Sequence, residues 1–221
     1  MRNLQKVLVP LALAAAAVSS AQAGVVMSAA SVLSAPTTIG GFTFARTIDQ
    51  SGLTIGYVSG VTDFATYISG APRHVGSNSP ENYAATNATV GPVDYDMGAS
   101  VGLLQLAFWN YPFSSNGPVL GFDILTSDDA NFGTSTLAGS FIVANDGSSI
   151  GPPGNAVQVF DLLDSTARYV RFTNISLQSN AGFGWSEVAF DVGASAVPEP
   201  GTLALVLGGF AGLLIRRNRP R

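Results

Sequence analysis

Short runs of apolar and β-branched residues alternate with clusters of glycine, proline, asparagine, aspartate and serine along most of the chain. Helical periodicity is hard to find between Gly24 and Ser195. Short β-rich runs bounded by turn-forming residues are typical of an all-β sandwich or barrel. The pattern predicts strands at residues 42–48, 93–97, 103–109, 119–126, 140–144, 156–162, 169–175 and 185–192.

The first 23 residues have the pattern of an export signal. Arg2 and Lys6 precede an almost wholly apolar run at residues 7–18, and Ala21-Gln22-Ala23 supplies small residues at alternate positions. This order is typical of a cleaved signal peptide, so we expect the mature chain to begin at Gly24. An uncleaved membrane anchor is the alternative, although the apolar run is short for one.

The C-terminal segment, residues 196–221, predicts a second signal. Its apolar stretch at residues 203–215 would form a helix of about 20 Å, shorter than the ~30 Å bilayer core. The cluster of arginines that follows would stay cytoplasmic. The elements occur in this order: Val197, Pro198, Glu199 and Pro200, then the apolar stretch, then Arg216, Arg217, Arg219 and Arg221.

This arrangement resembles the PEP-CTERM sorting signal of Gram-negative bacteria. The resemblance implies a transient anchor in the inner membrane and cleavage near the Pro-Glu-Pro box by an exosortase. It further implies release to the cell surface or to an exopolysaccharide matrix. An ordinary tail anchor is the alternative interpretation.

The body between the two signals, residues 24–195, is long enough for one domain with a substantial core. It contains four arginines, no lysine and thirteen acidic residues, which gives a net charge near −9. Nucleic acid and anionic lipid surfaces are therefore not expected partners, since both require a concentrated positive face. The absence of cysteine excludes disulfides, thiolate metal sites and a cysteine nucleophile.

Several runs of the body occur in an order that is similar to discoidin-like (F5/8 type C, galactose-binding-like) domains. The resemblance implies an eight-stranded jelly roll of two antiparallel sheets, with loops gathered at the ends. The sequence departs from the family pattern in lacking a glycine after Asp63 and in having Tyr67 where tryptophan is usual. The matching runs are residues 60–67 (GVTDFATY), 93–98 (VDYDMG), 120–129 (LGFDILTSDD), 167–172 (ARYVRF) and 185–190 (WSEVAF).

The same resemblance implies a structural calcium ion held by Asp63 and Glu187 together with backbone carbonyls. Calcium prefers several oxygen ligands, and an exported chain without disulfides would gain stability from such a site. The alternative is that Glu187 pairs with Arg168 or Arg171 across the sheet. The sequence leaves both interpretations open.

Four residues are candidate ligand contacts because they lie near predicted strand ends or in a long polar loop: Arg73, His74, Trp109 and Tyr111. Aromatic faces stack on sugars, and a charged side chain can then fix their orientation. We therefore expect a non-catalytic module that binds polysaccharide, with a structural or adhesion protein that binds another protein as the alternative.

An enzyme is disfavoured, because the body has one histidine, no lysine, no cysteine and no coherent catalytic triad. The run Gly98-Ala99-Ser100-Val101-Gly102 has the G-x-S-x-G residue pattern of a nucleophile elbow. That motif needs a following helix and a later histidine, whereas His74 precedes it. The two glycines predict a tight turn between two strands instead.

Overall fold

The computed structural model describes residues 24–75, 81–110, 117–144, 153–178 and 182–193, and the described chain is mostly β-strand, as the sequence predicts. Two short helices interrupt the strands, a 3-10 helix at Phe44–Ile48 and α1 at Phe64–Ser69. The strands are β1 (Val25–Met27), β2 (Ser31–Ser34), β3 (Arg73–His74), β4 (Val93–Asn110), β5 (Val119–Ser127), β6 (Thr136–Ile142), β7 (Asn155–Ala156), β8 (Gln158–Leu177) and β9 (Trp185–Gly193).

All strand pairs in the described chain are antiparallel. Seven strands form one hydrogen-bonded sheet in the order β1-β9-β4-β8-β5-β6, with β2 also paired to β4. The short strands β3 and β7 form a separate pair. Apart from the consecutive strands β5 and β6, neighbours in this order are distant in sequence, so the sheet depends on long-range pairing.

Strands β4 and β8 are long enough to belong to both layers of a sandwich. The first part of β4 pairs with β2 and with the second part of β8, whereas its second part pairs with β9 and the first part of β8. The register shifts between Asp96 and Val101, where Gly98 has a φ of +84°. A positive φ is accessible to glycine without steric cost, so the strand bends here. The tight turn predicted at residues 98–102 is therefore wrong: this segment is a bend within one strand.

The two layers enclose an aromatic core. Phe108, in the second part of β4, packs against Phe122 of β5 and Phe172 of β8, with ring centroids 5.1 and 6.4 Å apart. Since Phe108 and Phe122 lie on strands that are not neighbours in the sheet, their contact joins the two layers face to face. Trp185 is fully buried and stacks on Phe172, as expected for a core residue.

The predicted strand at residues 42–48 is wrong, because most of this segment is the 3-10 helix. Phe44 is buried and packs edge-on against Trp185. The Thr47 hydroxyl donates to the Phe44 carbonyl and also contacts the Tyr95 hydroxyl at 2.7 Å. The helical turn places both side chains in the core, which an extended strand with alternating faces would not do.

A second, smaller core covers the outer face of the layer that contains β9. Asp63 begins α1 by accepting a hydrogen bond from the Thr66 backbone N–H, the usual role of an N-terminal cap. The helix then buries Phe64 and Tyr67 against this layer. The members of the second core are Val26, Tyr57, Phe64, Tyr67, Ala107, Trp109 and Ala189.

Strand β9 runs between two ends of the sandwich that we name separately. The loop end contains Trp185, its partner Asn110, and the β3–β7 pair, since the Asn155 amide donates to the Asn110 carbonyl. The tail end contains Gly193 and its partner Gly102. The nine residues of β9 put about 26 Å between these ends.

Candidate functional site

Two acidic side chains lie on the covered outer face of β9. Val188, Phe190 and Val192 belong to the main core, so the alternate residues Glu187, Ala189 and Asp191 point the other way. Glu187 is 0% exposed and Asp191 is 7% exposed. Carboxylates are seldom buried to this degree unless they are paired, so both positions are candidates for binding a cation.

Glu187 lies beneath the segment that follows the 3-10 helix. Its Oε2 accepts a hydrogen bond from the Gln50 backbone N–H at 3.2 Å, and its buried Oε1 has no hydrogen-bond partner. Burial raises the pKa of this carboxyl well above its usual range, and the negative charge of Asp49 raises it further. The site thus combines two carboxyl groups with one unsatisfied oxygen.

The predicted pairing of Asp63 with Glu187 is not the arrangement that the structure shows. The Asp63 carboxylate caps α1, and its hydrogen bonds to Thr66 lower its pKa. Its negative charge acts on Asp191, whose pKa is raised to about 6 by burial first and by Asp63 second. Asp63 therefore belongs with Asp191, and Asp49 is the acidic neighbour of Glu187.

The alternative prediction, an ion pair between Glu187 and an arginine of β8, is also wrong. Arg171 makes a two-pronged contact with Asp94, at 2.7 and 2.8 Å. Arg168 makes the same kind of contact with Asp96, with both distances 2.9 Å. Both arginines are thus paired to β4, and Glu187 has a backbone N–H as its hydrogen-bond donor.

The residues around Glu187 fit calcium in part. Calcium prefers carboxylate, carbonyl and hydroxyl oxygens, and the unsatisfied Oε1 of Glu187 is a suitable ligand beside the carboxylate of Asp49. Within the described residues, no group of three or more histidine, aspartate or glutamate side chains could hold a metal ion. Backbone oxygens would have to complete the coordination, and Asp63 would not contribute.

Trp109 is a core residue and its ring is not available to a ligand. The side chain is 0% exposed, belongs to the second core, and donates its indole N–H to the Pro72 carbonyl at 3.2 Å. The alternation of β4 turns it toward residues 49–72, the covering segment, whose Tyr57, Phe64 and Tyr67 belong to the same core. This burial corrects its prediction as a stacking residue, while Tyr111 lies outside the described residues.

His74 and Arg73 have different environments although they are adjacent. His74 is fully buried; its Nε2 lies 2.7 Å from the Ser51 carbonyl and its Nδ1 lies 3.1 Å from the Val75 carbonyl. Burial lowers the pKa of this imidazole. Arg73 is half-buried and donates from Nη1 to the Gly154 carbonyl at 2.8 Å. Of these two side chains, only that of Arg73 is partly exposed and accessible to a ligand.

A buried polar network supports the loop end. The Asn155 amide and the Ser186 hydroxyl both donate to the Asn110 carbonyl, each at 2.9 Å. Asn110 in turn links to Val119 through its side-chain amide, which donates to the carbonyl and accepts from the N–H. Asn155 Oδ1 is buried without a hydrogen-bond partner. The sequence pattern does not single out Asn110 or Asn155, although each lies at the end of a strand.

The extreme C-terminus matches a family model. Residues 196–219 match the PEP-CTERM protein-sorting motif. The chain carries a PEP-CTERM sorting motif. Such a motif implies an exported protein that is sorted by an exosortase. The predicted sorting residues Val197, Pro198, Glu199, Pro200, Arg216 and Arg217 lie within this match, and they lie outside the described structure, as do Ala21 and Ala23 of the predicted signal cleavage site.

The body has the discoidin-like β-sandwich fold. A truncated AlyQ with CBM32 and alginate lyase domains matches 78% of the chain with a TM-score of 0.50 and 20% identity, and the chain spans 35% of that structure. The CBM32 of AlyQ in complex with 4,5-unsaturated mannuronic acid matches 75% of the chain and 96% of its own length, with a TM-score of 0.47 and 19% identity.

A family 32 carbohydrate-binding module from C. perfringens NanJ in complex with galactose also matches, over 71% of the chain and 90% of its own length, with a TM-score of 0.47 and 13% identity. None of the curated proteins matches the sequence. Among the residues that the structure describes, no helix is both long and apolar enough to span a bilayer.

Proposed function

We propose that this protein is an exported, non-catalytic polysaccharide-binding protein. In this proposal an exosortase removes the tail from a transient anchor in the inner membrane of a Gram-negative bacterium. The β-sandwich then acts at the cell surface or in the extracellular matrix. The proposal rests on the sorting motif, the sandwich fold and the chemistry of the loop end.

The observation that carries the proposal is the direction of β9. The strand begins at the loop end with Trp185 and finishes at the tail end with Gly193, three residues before the sorting motif. About 26 Å therefore separates the attachment point of the tail from the loop end. A domain tethered in this way presents its loop end to ligands while the tail is still anchored.

The loop end offers a suitable surface for a neutral or mildly basic glycan. Arg73 supplies a half-buried guanidinium whose position is fixed by the Gly154 carbonyl. The acidic body repels polyanions over longer distances, which disfavours strongly acidic polymers. The similar modules of AlyQ and NanJ were solved in complex with 4,5-unsaturated mannuronic acid and galactose, respectively. This similarity of fold supports a carbohydrate ligand and leaves its identity open.

A structural calcium ion is part of the proposal. Glu187 and Asp49 would supply carboxylate oxygens to it, with carbonyl groups of the neighbouring backbone. Neutralising the buried Glu187 charge is the benefit that such an ion would bring to the native state.

Glycan-array binding of the mature protein, purified after export from its host, tests the function. The Arg73→Ala variant should lose binding by about ten-fold to a hundred-fold if the guanidinium contacts the glycan, because a charged hydrogen bond contributes roughly 1.5–3 kcal/mol. Arg168→Ala is the matched control, since this arginine is exposed and lies on β8 at the tail end of the sandwich. The control should bind like the wild type.

Three results would contradict the proposal. Equal losses of glycan binding in Arg73→Ala and Arg168→Ala would show that the loop end is not the binding surface. A folded protein that binds no glycan but captures a surface protein would favour the adhesion alternative. Sugar hydrolysis above a buffer blank would show an enzyme.

A further inference from the structure

Asp191 is the second buried acid of β9, and within the described residues no cationic side chain pairs with it. It is 7% exposed, and its Oδ1 is buried without a hydrogen-bond partner. Gln105 lies opposite Asp191 on β4 but donates its side-chain amide to Asp161. Asp63 adds a second negative charge nearby. Two carboxylates thus share a site that has no compensating positive charge among the residues that the structure describes.

Gly24 lies directly against the Asp191 carboxylate. A Cβ atom built on Gly24 would fall 1.6 Å from Oδ1 of Asp191, so a larger residue at this position would force the carboxylate to move. With covalent bonds of about 1.5 Å, this places the Gly24 nitrogen within about 4.6 Å of that oxygen. The site is therefore built around Gly24, the residue that follows the predicted signal cleavage site.

Strand β1 holds Gly24 in this position. Val25 pairs with Val192 of β9, and the Gly24 carbonyl accepts a hydrogen bond from Phe64 N–H at 3.0 Å. Val25 also forms an isolated antiparallel bridge with Asp63. The start of the body is thus fixed between β9 and α1, the two elements that carry Asp191 and Asp63.

Cleavage after Ala23 would change the charge at this point. Hydrolysis of the Ala23–Gly24 bond consumes one water, leaves a carboxylate on Ala23 and leaves an amino group on Gly24. This amino group takes up a proton below its ordinary pKa of about 8. The uncharged amide nitrogen of the precursor becomes an ammonium beside two carboxylates.

We propose that the ammonium group created at Gly24 by removal of residues 1–23 forms an ion pair with the buried carboxylate of Asp191. Processing of the export signal then completes the native structure, because the precursor leaves Asp191 buried without a cation. Asp63 contributes a second, more exposed negative charge to the same ammonium. This inference is independent of the proposed glycan binding.

The composition of the chain makes the test direct. Lys6 is the only lysine in the sequence, and it lies in the segment that is removed. Acetylation of the mature protein with an amine-specific reagent therefore modifies a single amino group, that of Gly24. The blocked protein keeps every side chain and loses only the terminal charge.

The experiment compares thermal unfolding of free and acetylated protein, in the wild type and in Asp191→Asn. Acetylation should lower the Tm of the wild type by about 2–4 °C and that of Asp191→Asn by less than about 1 °C. Asp128→Asn is the matched control, since Asp128 is exposed just after β5, and it should respond like the wild type. Equal responses in wild type and Asp191→Asn would overturn the ion pair.

Two further measurements do not depend on folding of the variant. The pH dependence of the acetylation rate in the wild type should give the Gly24 amino group a pKa at least one unit above 8, and a pKa at or below 8 would overturn the proposal. Mass spectrometry of the exported protein should find Gly24 as the first residue. A different first residue would also overturn it.

Discussion

The Glu187→Gln substitution is the most informative perturbation of the buried acidic site. Glutamine has the size of glutamate, and its carbonyl can still accept the hydrogen bond from Gln50 N–H. The change removes the charge that Glu187 acquires on ionisation. It also introduces an amide NH₂ at the position where Oε1 is buried without a partner.

The sign of the effect depends on pH. Because burial and Asp49 raise the pKa of Glu187 in the native state, its contribution to stability is fully present below its unfolded pKa of about 4.3. This contribution is lost as the pH rises through the raised native value. Without calcium, the wild type should therefore become less stable between acidic and mildly alkaline pH, and the stability of Glu187→Gln should decline less over the same range.

The stability difference between Glu187→Gln and the wild type follows from two opposing costs. An ionised carboxylate that is buried without a cation costs several kcal/mol, whereas an unpaired buried amide N–H costs about 1–3 kcal/mol. At pH 8 the variant should therefore be more stable than the wild type by about 1–3 kcal/mol. For a domain of this size the difference corresponds to a Tm higher by about 2–10 °C. At pH 4 the two proteins should agree within about 1 kcal/mol.

Thermal unfolding of the mature protein in a chelator, from pH 4 to pH 8, measures this difference. Glu81→Gln is the matched control because Glu81 is exposed, and its unfolding curve should follow the wild type. A wild-type Tm that falls with pH no more than that of Glu187→Gln would refute the reasoning. It would mean that Glu187 is solvated or already neutralised.

Calcium should reverse the order of stability, so that the wild type becomes more stable than Glu187→Gln. A ligand present at 100 times its Kd stabilises the native state by about 2.7 kcal/mol. If Glu187 is a calcium ligand, calcium should stabilise the wild type by this amount and should stabilise Glu187→Gln much less. Addition of calcium with no change in the wild-type Tm would contradict the calcium proposal and leave the buried-acid argument intact.

Two other predictions follow from the fold and the tail. Trp109→Ala should lower the free energy of unfolding of the mature protein by about 3–5 kcal/mol, measured by chemical denaturation, because it removes a fully buried ring. Any loss of glycan binding should equal the fraction of unfolded protein, and the folded fraction should keep its affinity. Deletion of residues 197–221 should divert the protein to the periplasm, and mass spectrometry of the mature wild type should find that Arg221 has been removed; a mature form that retains Arg221 would contradict sorting by cleavage.

Much of the fold could be predicted because the strands follow local rules. Tyr169, Val170, Arg171 and Phe172 alternate between solvent and core, and this period of two specifies a half-buried strand without knowledge of its partners. The all-β class and the core position of Trp185 were predicted correctly for this reason. The sorting motif was equally accessible, since its elements are contiguous in sequence.

The candidate site could not be predicted to the same degree because it depends on long-range packing. The position of Glu187 beside Asp49 joins residues that are 138 positions apart, which no local pattern specifies. The helix that follows Asp63 uses its carboxylate as a cap, so an acid that resembled a metal ligand has a local structural role. The same covering segment buries Trp109 and His74, which strand position alone would leave near the surface.

The two buried acids of β9 suggest why this body is suited to an exported protein. Glu187 and Asp191 lie four residues apart under one covering segment, and each lacks a cation within the described chain. In our proposals calcium neutralises the first and the Gly24 ammonium neutralises the second. Signal cleavage supplies the ammonium only during export, and calcium sites of extracellular modules are tuned to the high calcium levels outside cells. The precursor would then be least stable where it must still be translocated, and the mature domain would be most stable at its destination.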